Sequence, residues 1–131
     1  MPMQNILLLM AGGALGTLSR FLLSSITNRV FMNSFPIGTL LVNASGSFLI
    51  GLLWGLFDAG QLSTSMRLFL FVGILGGFTT FSALSLETLQ LIKNGSMGMA
   101  AFNIIANNLL GIGLVFLGFF LAQGLRESIR F

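Results

Sequence analysis

The chain has 131 residues, of which 55% are hydrophobic and only 7% are charged. A soluble domain carries about 25% charged residues, so the composition predicts an integral membrane protein. The net charge is +3, and the few basic residues form no cluster of the kind that nucleic-acid binding requires. Because Cys and His are both absent, disulfides, thiol catalysis, zinc or haem ligation and the usual general base are excluded. An enzyme is therefore a poor interpretation.

Four apolar segments predict four membrane-spanning helices in a single domain over residues 1–131, since each reaches the roughly 20 residues needed to cross a bilayer. We expect them at residues 4–26, 37–57, 67–92 and 98–123. The first lacks the charged n-region of a signal peptide and carries Arg20 where a cleavage region would hold small residues, so we expect a retained span. Arg20 either pairs at a functional site or extends its charged end to the interface.

The second span is polar for a membrane helix. Thr39 and Asn43 lie four residues apart and therefore share one helix face. An asparagine at this depth needs hydrogen-bond partners, and a neighbouring helix would supply them at about 1 kcal/mol per bond. The alternative is that Asn43 lines a pore as a hydrogen-bond donor, and the sequence leaves both interpretations open.

The third span contains a segment, Gly73 to Glu87, in which three glycines, two threonines and two serines replace the usual aliphatic residues. Glycine and clustered hydroxyls weaken a helix, and non-helical backbone at membrane depth is tolerated only inside protein or beside a polar cavity. The pattern predicts a break near residues 76–80, of the kind that places free carbonyls beside ions in transporters and channels. After the break, Phe81, Leu84 and Ser85 have the spacing of one helix face.

The fourth span carries Asn103, Asn107 and Asn108, of which the first two lie four residues apart and form a polar stripe. Helix packing alone does not readily explain several amides in an apolar helix. The stripe therefore predicts a wet or ion-conducting path.

The basic residues give little preference for one orientation in the membrane. With four spans, both chain ends lie on the side of Arg67, Arg126 and Arg130, whereas the other side holds Arg29 and Lys93, with Arg20 near its boundary. Because the two sides carry nearly the same number of basic residues, the chain is predicted to insert in both orientations. Two oppositely oriented copies could then pair as an antiparallel dimer. Four short spans also supply too little wall to enclose a pathway, so we expect an oligomer in any case.

Three motifs together resemble the Fluc/CrcB family of fluoride channels, and the resemblance covers nearly the whole chain. They are Gly12-Gly13-x-x-Gly16-x-x-x-Arg20, Pro36-x-Gly-Thr39-x-x-Val42-Asn43-x-x-Gly46 and Gly76-Gly-Phe-Thr-Thr-Phe-Ser82-x-x-Ser85-x-Glu87. The third motif is specific, whereas the glycine motif alone would not be. The resemblance implies an all-α integral membrane fold of four transmembrane helices, with the third broken in mid-membrane, assembled as an antiparallel, dual-topology homodimer in the cell inner membrane.

The resemblance also implies passive export of cytoplasmic fluoride through two pores. Asn43 matches the pore asparagine and Phe81 the first of two pore phenylalanines, while Asn103 and Asn107 fall where the family has a tyrosine and a serine along a polar track. A structural Na⁺ at the dimer interface is implied, held by the backbone carbonyls of two residues of the break. The two residues that would hold Na⁺ are Gly76 and Thr79. The other positions that match the fluoride pathway of the family are Arg20, Thr39, Ser82, Ser85 and Glu87.

One departure from the family pattern concerns Leu84, which stands where the family has the second pore phenylalanine. Leucine lacks the positively polarised ring edge with which a phenylalanine approaches an anion. Some members of the family work as heterodimers of diverged subunits. The alternative interpretation is therefore that this chain is one non-autonomous subunit of a heterodimeric fluoride channel.

Two further points concern the acidic residues. Glu87 would repel an anion if it were ionised beside the path, so we expect it either to accept a hydrogen bond from Thr39 or another hydroxyl, or to face away. A small multidrug exporter also has four helices and dual topology, but it needs a carboxylate in the first helix. The first span has Arg20 and no acidic residue, which disfavours that class.

Overall fold

The computed structural model describes residues 2–31, 34–57 and 61–129, and the regular elements in these ranges are all helical. The predicted loop residues Asp58 and Gly60, and Arg130, lie outside the described residues. The helices are α1 (Met3–Val30), α2 (Ile37–Leu56), α3, α4 (Phe81–Lys93) and α5 (Met97–Ile129). α3 comprises Thr64–Arg67, the π-helical Leu68–Leu75 and Gly76–Phe78.

Four helical segments in the described part of the chain are long and apolar enough to cross a membrane, with α3 and α4 counted together as Thr64–Lys93. Large apolar side chains lie on the outside of the bundle, such as Leu7, Phe21 and Phe116, which are 58%, 66% and 58% exposed. In contrast, Val42 and Asn103 are the largest fully buried side chains among the described residues. The protein is therefore a multi-pass membrane protein, whose apolar outer surface is covered by lipid or by another chain.

α1 packs against α3 through glycine. A Cβ on Gly12 would lie 2.6 Å from the carbonyl oxygen of Phe69, and a Cβ on Gly16 would collide with the carbonyl of Ile74 and lie 2.9 Å from the amide of Phe78. Small residues let membrane helices approach until their backbones touch, and van der Waals contact then holds the pair together. The first glycine motif of the sequence is thus a helix-packing surface.

α2 and α5 run parallel and in register along a line of contacts that we call the α2–α5 seam. Facing residues are separated by 64 positions, beginning with the hydrogen-bonded pair Asn43 and Asn107. The seam is polar in its first half, and in its second half glycines of α2 lie against the α5 backbone. The successive facing pairs are Asn43 with Asn107, Ser47 with Gly111, Gly51 with Val115 and Gly55 with Phe119.

The helix ends follow from local sequence. Ser63 caps α3 by accepting a hydrogen bond from the Met66 amide at 3.2 Å. α4 ends before Gly95, whose φ of 77° favours glycine, and the Ser96 amide donates back to the Leu91 carbonyl at 2.9 Å. This turn reverses the chain into α5, which lets α4 pack on α5.

Side-chain contacts define the end of the bundle at which α1 begins. Ser65 donates a hydrogen bond to Asn5 at 2.6 Å, which ties the start of α3 to the start of α1. The Arg67 guanidinium carbon lies 5.3 Å from the centre of the Trp54 ring. Arg126 donates a hydrogen bond to the carbonyl of Gly55, the next residue after Trp54, at 3.2 Å. Arg67 and Arg126 are therefore at the same end, as the four-span topology requires.

We expect Gly16→Ala to destabilise the protein, because the added methyl group would collide with the α3 backbone. Overpacking of this kind costs about 1–3 kcal/mol. Gly13→Ala is the matched control, since a Cβ at Gly13 meets nothing within 4 Å. Thermal unfolding of the detergent-solubilised variants measures the difference, and equal stability of the two variants would contradict this account of α1–α3 packing.

Candidate functional site

The candidate site surrounds Thr79 and Thr80, which separate α3 from α4. Their backbone is extended, with φ/ψ of −77°/154° and −150°/120°, whereas Gly76 to Phe78 remain helical. A cavity of about 350 Å³ lies beside these two residues, and every residue that lines it is uncharged. The cavity is bounded by α2, α3, α4 and α5, so the interruption between α3 and α4 opens towards the polar half of the α2–α5 seam.

Asn43 holds the backbone of Thr80 with both ends of its side-chain amide. The Thr80 N–H donates to Asn43 Oδ1 at 2.8 Å, and Asn43 Nδ2 donates to the Thr80 carbonyl at 3.0 Å. In an unbroken α-helix the Thr80 N–H would donate to the Gly76 carbonyl instead. The Asn43 side chain therefore replaces the helical partner of Thr80 and stabilises the extended backbone at this position.

Several backbone carbonyls at the interruption lose their helical donors, and those of Gly76 and Thr79 are among them. The Thr80 N–H that would serve Gly76 is bonded to Asn43, and the Ala83 N–H that would serve Thr79 donates to Thr80 Oγ1 at 3.1 Å. Both Gly76 and Thr79 line the cavity. Neutral carbonyl oxygens are ligands that proteins use for alkali cations. No group of three or more His, Cys, Asp or Glu residues that could hold a metal lies in the described ranges, so a cation here would depend on backbone oxygen.

A chain of hydrogen bonds, which we call the relay, leads from Asn43 along α5 to α4. Asn43 Nδ2 donates to Asn107 Oδ1 at 2.9 Å, and Asn107 Nδ2 donates to both Asn103 Oδ1 and the Asn103 carbonyl at 3.0 Å. Asn103 Nδ2 donates to Thr88 Oγ1 at 3.2 Å, and Thr88 donates to the Leu84 carbonyl at 2.8 Å. Every bond points in the same direction, so neighbouring bonds polarise and strengthen one another.

The sequence-based prediction of an ion path assumed that the asparagine side chains have amide hydrogens to donate to an ion. The hydrogen bonds of the relay already use those of Asn43 and Asn107. Asn43 Nδ2 bonds two acceptors, and so does Asn107 Nδ2. Asn103 is fully buried and Asn107 is 7% exposed. These amides satisfy one another within the chain, so an anion that used them as ligands would have to displace an existing acceptor.

Thr39 and Glu87 form a separate pair on the α2 and α4 helices. Thr39 Oγ1 donates to Glu87 Oε1 at 2.6 Å, which is the first of the two arrangements expected for Glu87. Glu87 Oε2 is buried and has no hydrogen-bond partner among the described residues. A second cavity of about 370 Å³, lined largely by polar residues that include Asn28 and Gln90, lies beside Glu87. Neither Thr39 nor Glu87 lines the cavity at Thr79 and Thr80.

Phe81 and Leu84 both line the first cavity but differ in exposure. The Phe81 side chain is 75% exposed on the outer surface of the chain, whereas Leu84 is 5% exposed and packs inside it. Ser85 is exposed and donates to the Phe81 carbonyl at 2.9 Å, and exposed Ser82 shares a hydrogen bond of 3.2 Å with Thr80 Oγ1. The first residues of α4 therefore present a ring and hydroxyls to whatever covers this face.

Arg20 is half-buried, one helical turn beyond Gly16. Its guanidinium makes no hydrogen bond or ion pair with a residue in the described ranges, and it does not line the cavity. The structure thus brings six of the predicted site residues to the cavity and leaves five others elsewhere. At the cavity are Asn43, Gly76, Thr79, Phe81, Leu84 and Asn107; elsewhere are Arg20, Thr39, Ser82, Ser85 and Asn103.

The sequence-based prediction did not include Thr80 among the site residues, although it placed this residue in the break, and it missed Ser47 and Thr88 as well. Ser47 lines the cavity one turn after Asn43, and Thr88 ends the relay one turn after Leu84. Both follow a singled-out residue at a spacing of four, which is the signal that could have found them.

Comparison with known proteins gives a consistent result. The family model described as "CrcB-like protein, Camphor Resistance (CrcB)" matches residues 7–119. A protein of Parabacteroides distasonis is 44% identical over 128 residues, which cover 98% of this chain and all of the relative. A protein of Thermus thermophilus is 49% identical over 123 residues, 94% of this chain and 98% of the relative. Each of these two relatives bears the name fluoride-specific ion channel FluC.

We expect Asn107→Leu to destabilise the protein, because it leaves an Asn43 N–H and the Asn103 Oδ1 without partners in a buried place. Each unsatisfied buried group costs about 1–3 kcal/mol. Asn108→Leu is the matched control, since exposed Asn108 makes a single bond to the Ile104 carbonyl of its own helix. Chemical or thermal unfolding in detergent compares the two, and an Asn107→Leu protein as stable as the control would show that the relay contributes nothing to stability.

Proposed function

The chain belongs to the CrcB-like protein family, and we propose that it is a passive, fluoride-selective ion channel that exports fluoride from the cytoplasm. The protein is a transporter and not an enzyme. The observation that carries the proposal is the uncharged cavity beside Thr79 and Thr80, which combines hydrogen-bond donors with an aromatic side chain. The full-length similarity to relatives named as fluoride-specific channels supports the choice of ion.

An uncharged site suits fluoride for a physical reason. Fluoride is small and strongly hydrated, so donors of the protein must replace the water that it loses in the pathway. Conduction requires binding that is strong enough for entry and weak enough for exit. Hydroxyl and amide donors, together with the positive edge of the Phe81 ring, attract an anion without the trapping effect of a full positive charge. In this proposal Arg20 acts outside the narrow part of the pathway.

In this proposal the pathway runs along the polar half of the α2–α5 seam and past the first turns of α4. Asn43 and Asn107 form its wall on one side, and Asn103 supports that wall from behind. Phe81 and Leu84 contribute from α4. Thr39, Ser82 and Ser85 then belong to the approaches to the cavity, with Glu87 kept from the anion by its bond to Thr39.

The functional unit that we propose is an antiparallel, dual-topology homodimer with two pores. Phe81 lines the cavity and is 75% exposed, which leaves an apolar side chain at the edge of the cavity for a second copy of the chain to cover. The near balance of basic residues between the two ends is compatible with insertion in both orientations. The interruption between α3 and α4 would then lie in mid-membrane, inside the dimer, where non-helical backbone is tolerated.

We also propose that a structural Na⁺ binds at the dimer interface. The carbonyls of Gly76 and Thr79 fit this ion, because they are neutral oxygens released from their helical donors. A second copy of the chain would bring the same two carbonyls and so double the number of these ligands. When bound, the ion would supply a fixed positive charge near the anion pathway and would join the two interrupted helices.

The alternative is a heterodimeric channel in which this chain is one subunit. Leu84 motivates that alternative, but its side chain is buried by neighbours in its own chain. The leucine that stands in place of the second phenylalanine of the family pattern thus packs within one subunit. This favours a channel that works without a diverged partner.

Purified protein reconstituted alone in liposomes should release fluoride down its gradient and should not release chloride. A fluoride-selective electrode, with a chloride electrode in parallel, measures both. Equal chloride release, or no fluoride release, would contradict the channel proposal. Fluoride release that appears only when a second homologue is added would instead support the heterodimer.

In the same assay, Asn43→Asp should abolish fluoride release. The new carboxylate would repel the anion, and it could not donate to the Thr80 carbonyl or to Asn107. Gln61→Glu is the control, because it introduces the same charge at an exposed residue between α2 and α3 that lines neither cavity. Undiminished release by Asn43→Asp would remove this residue from the pathway.

A further inference from the structure

The polar half of the α2–α5 seam contains a hydroxyl that has no hydrogen-bond partner among the residues that the structure describes. Ser47 follows Asn43 by one turn on the same face of α2, and it lines the cavity beside Thr79 and Thr80. Its hydroxyl makes no hydrogen bond to any residue in the described ranges. The side chain is half-buried, so this donor does not simply point away from the protein.

The residue that faces Ser47 explains why the hydroxyl is unpaired. Asn43 meets Asn107 across the seam, but the next position of α5 is Gly111, which has no side chain to offer an acceptor. A Cβ built on Gly111 would lie 3.3 Å from Ser47 Oγ and would meet no other atom within 4 Å. The missing side chain therefore leaves a small space directly in front of the Ser47 hydroxyl.

Nearby hydroxyls behave differently. A serine or threonine in a membrane helix commonly donates to the carbonyl four residues earlier. Ser45 bonds the Leu41 carbonyl at 2.7 Å, and Thr88 bonds the Leu84 carbonyl at 2.8 Å. Ser47 makes no such bond to the Asn43 carbonyl, so its hydrogen is free for a ligand.

We propose that Ser47 donates a hydrogen bond directly to the permeating fluoride in this cavity. The inference rests on the proposed channel function and adds a ligand to it. The Asn43 and Asn107 amides are already bonded within the chain, so an anion would use them only by displacing an acceptor. The Ser47 hydroxyl requires no displacement, and Asn43 and Asn107 then act mainly by fixing the wall on which Ser47 lies.

Fluoride efflux from liposomes tests this role with a set of variants at one seam position. Ser47→Ala should lower the fluoride flux about tenfold or more, because a hydrogen bond to a charged group is lost. Ser47→Thr keeps the hydroxyl and should retain most of the flux. Ser45→Ala is the matched control, since Ser45 does not line the cavity and its hydroxyl is bonded to its own helix. That control should conduct like the unchanged protein.

A second pair of variants keeps the test decisive if Ser47→Ala fails to fold. Ser47→Cys preserves size but supplies a weaker donor, so it should also lower the flux. In the double variant Ser47→Ala, Gly111→Ser the hydroxyl is returned from the opposite helix into the same space, and part of the flux should return.

The outcomes separate this inference from the channel proposal. If the unchanged protein conducts fluoride and both Ser47→Ala and Ser47→Cys conduct equally well, Ser47 is not a ligand and the channel proposal stands. If the unchanged protein does not conduct fluoride, the channel proposal fails and the ligand role fails with it. A loss in Ser47→Ala that Ser45→Ala shares equally would also overturn the specific role.

Discussion

The structure depends on one interaction, the two-ended hydrogen bond between the Asn43 side chain and the backbone of Thr80. An unpaired backbone N–H and C=O in an apolar environment would each cost several kcal/mol, so an interruption between α3 and α4 can persist only if something replaces the helical partners. Asn43 supplies that replacement with a single side chain. The consequence is a set of released carbonyls, which includes those of Gly76 and Thr79, and a cavity with uncharged walls beside these two residues.

The rest of the bundle keeps Asn43 in position to make this interaction. Asn107 and Asn103 fix the orientation of its amide through the relay, and the relay ends on α4, the helix that Thr80 caps. Farther along the seam, Gly51 and Gly55 let α2 approach the α5 backbone closely, which holds the two helices in register. Apolar driving force is weak between helices in lipid, so close contact and interhelical hydrogen bonds carry the assembly. The buried interior accordingly combines polar and small residues with a few aliphatic side chains such as Val42 and Leu75, and the outer surface is apolar.

The sequence predicts the membrane class and the number of spans well, because apolar length is a one-dimensional property. It predicts the helix ends less well: α1 extends to Val30, beyond the expected residue 26, since hydropathy marks the membrane and not the helix. The break was expected near residues 76–80, and the extended backbone is limited to Thr79 and Thr80, while Gly76 to Phe78 are helical where α3 packs on Gly16. The π-helical Leu68–Leu75 leaves no sign in an apolar sequence.

For the site, the sequence did not decide whether Asn43 bonds a neighbouring helix or lines a pore. The decision depends on Thr80 and Asn107, which are distant from Asn43 in the chain. The spacing of four from Asn43 places Ser47, and not Ser45, on the face of Asn43, but the sequence does not show that Gly111 lies opposite Ser47.

Amide hydrogen exchange at Thr80 tests the central interaction most directly, because the backbone of this residue is extended and protection there requires a side-chain acceptor. We expect the Thr80 amide of the detergent-solubilised protein to exchange as slowly as amides inside α4. Asn43→Leu should remove this protection, while amides in the middle of α2 and α5 stay protected. Rapid exchange at Thr80 in the unchanged protein, or protection that survives Asn43→Leu, would contradict the claim that Asn43 holds the interruption between α3 and α4.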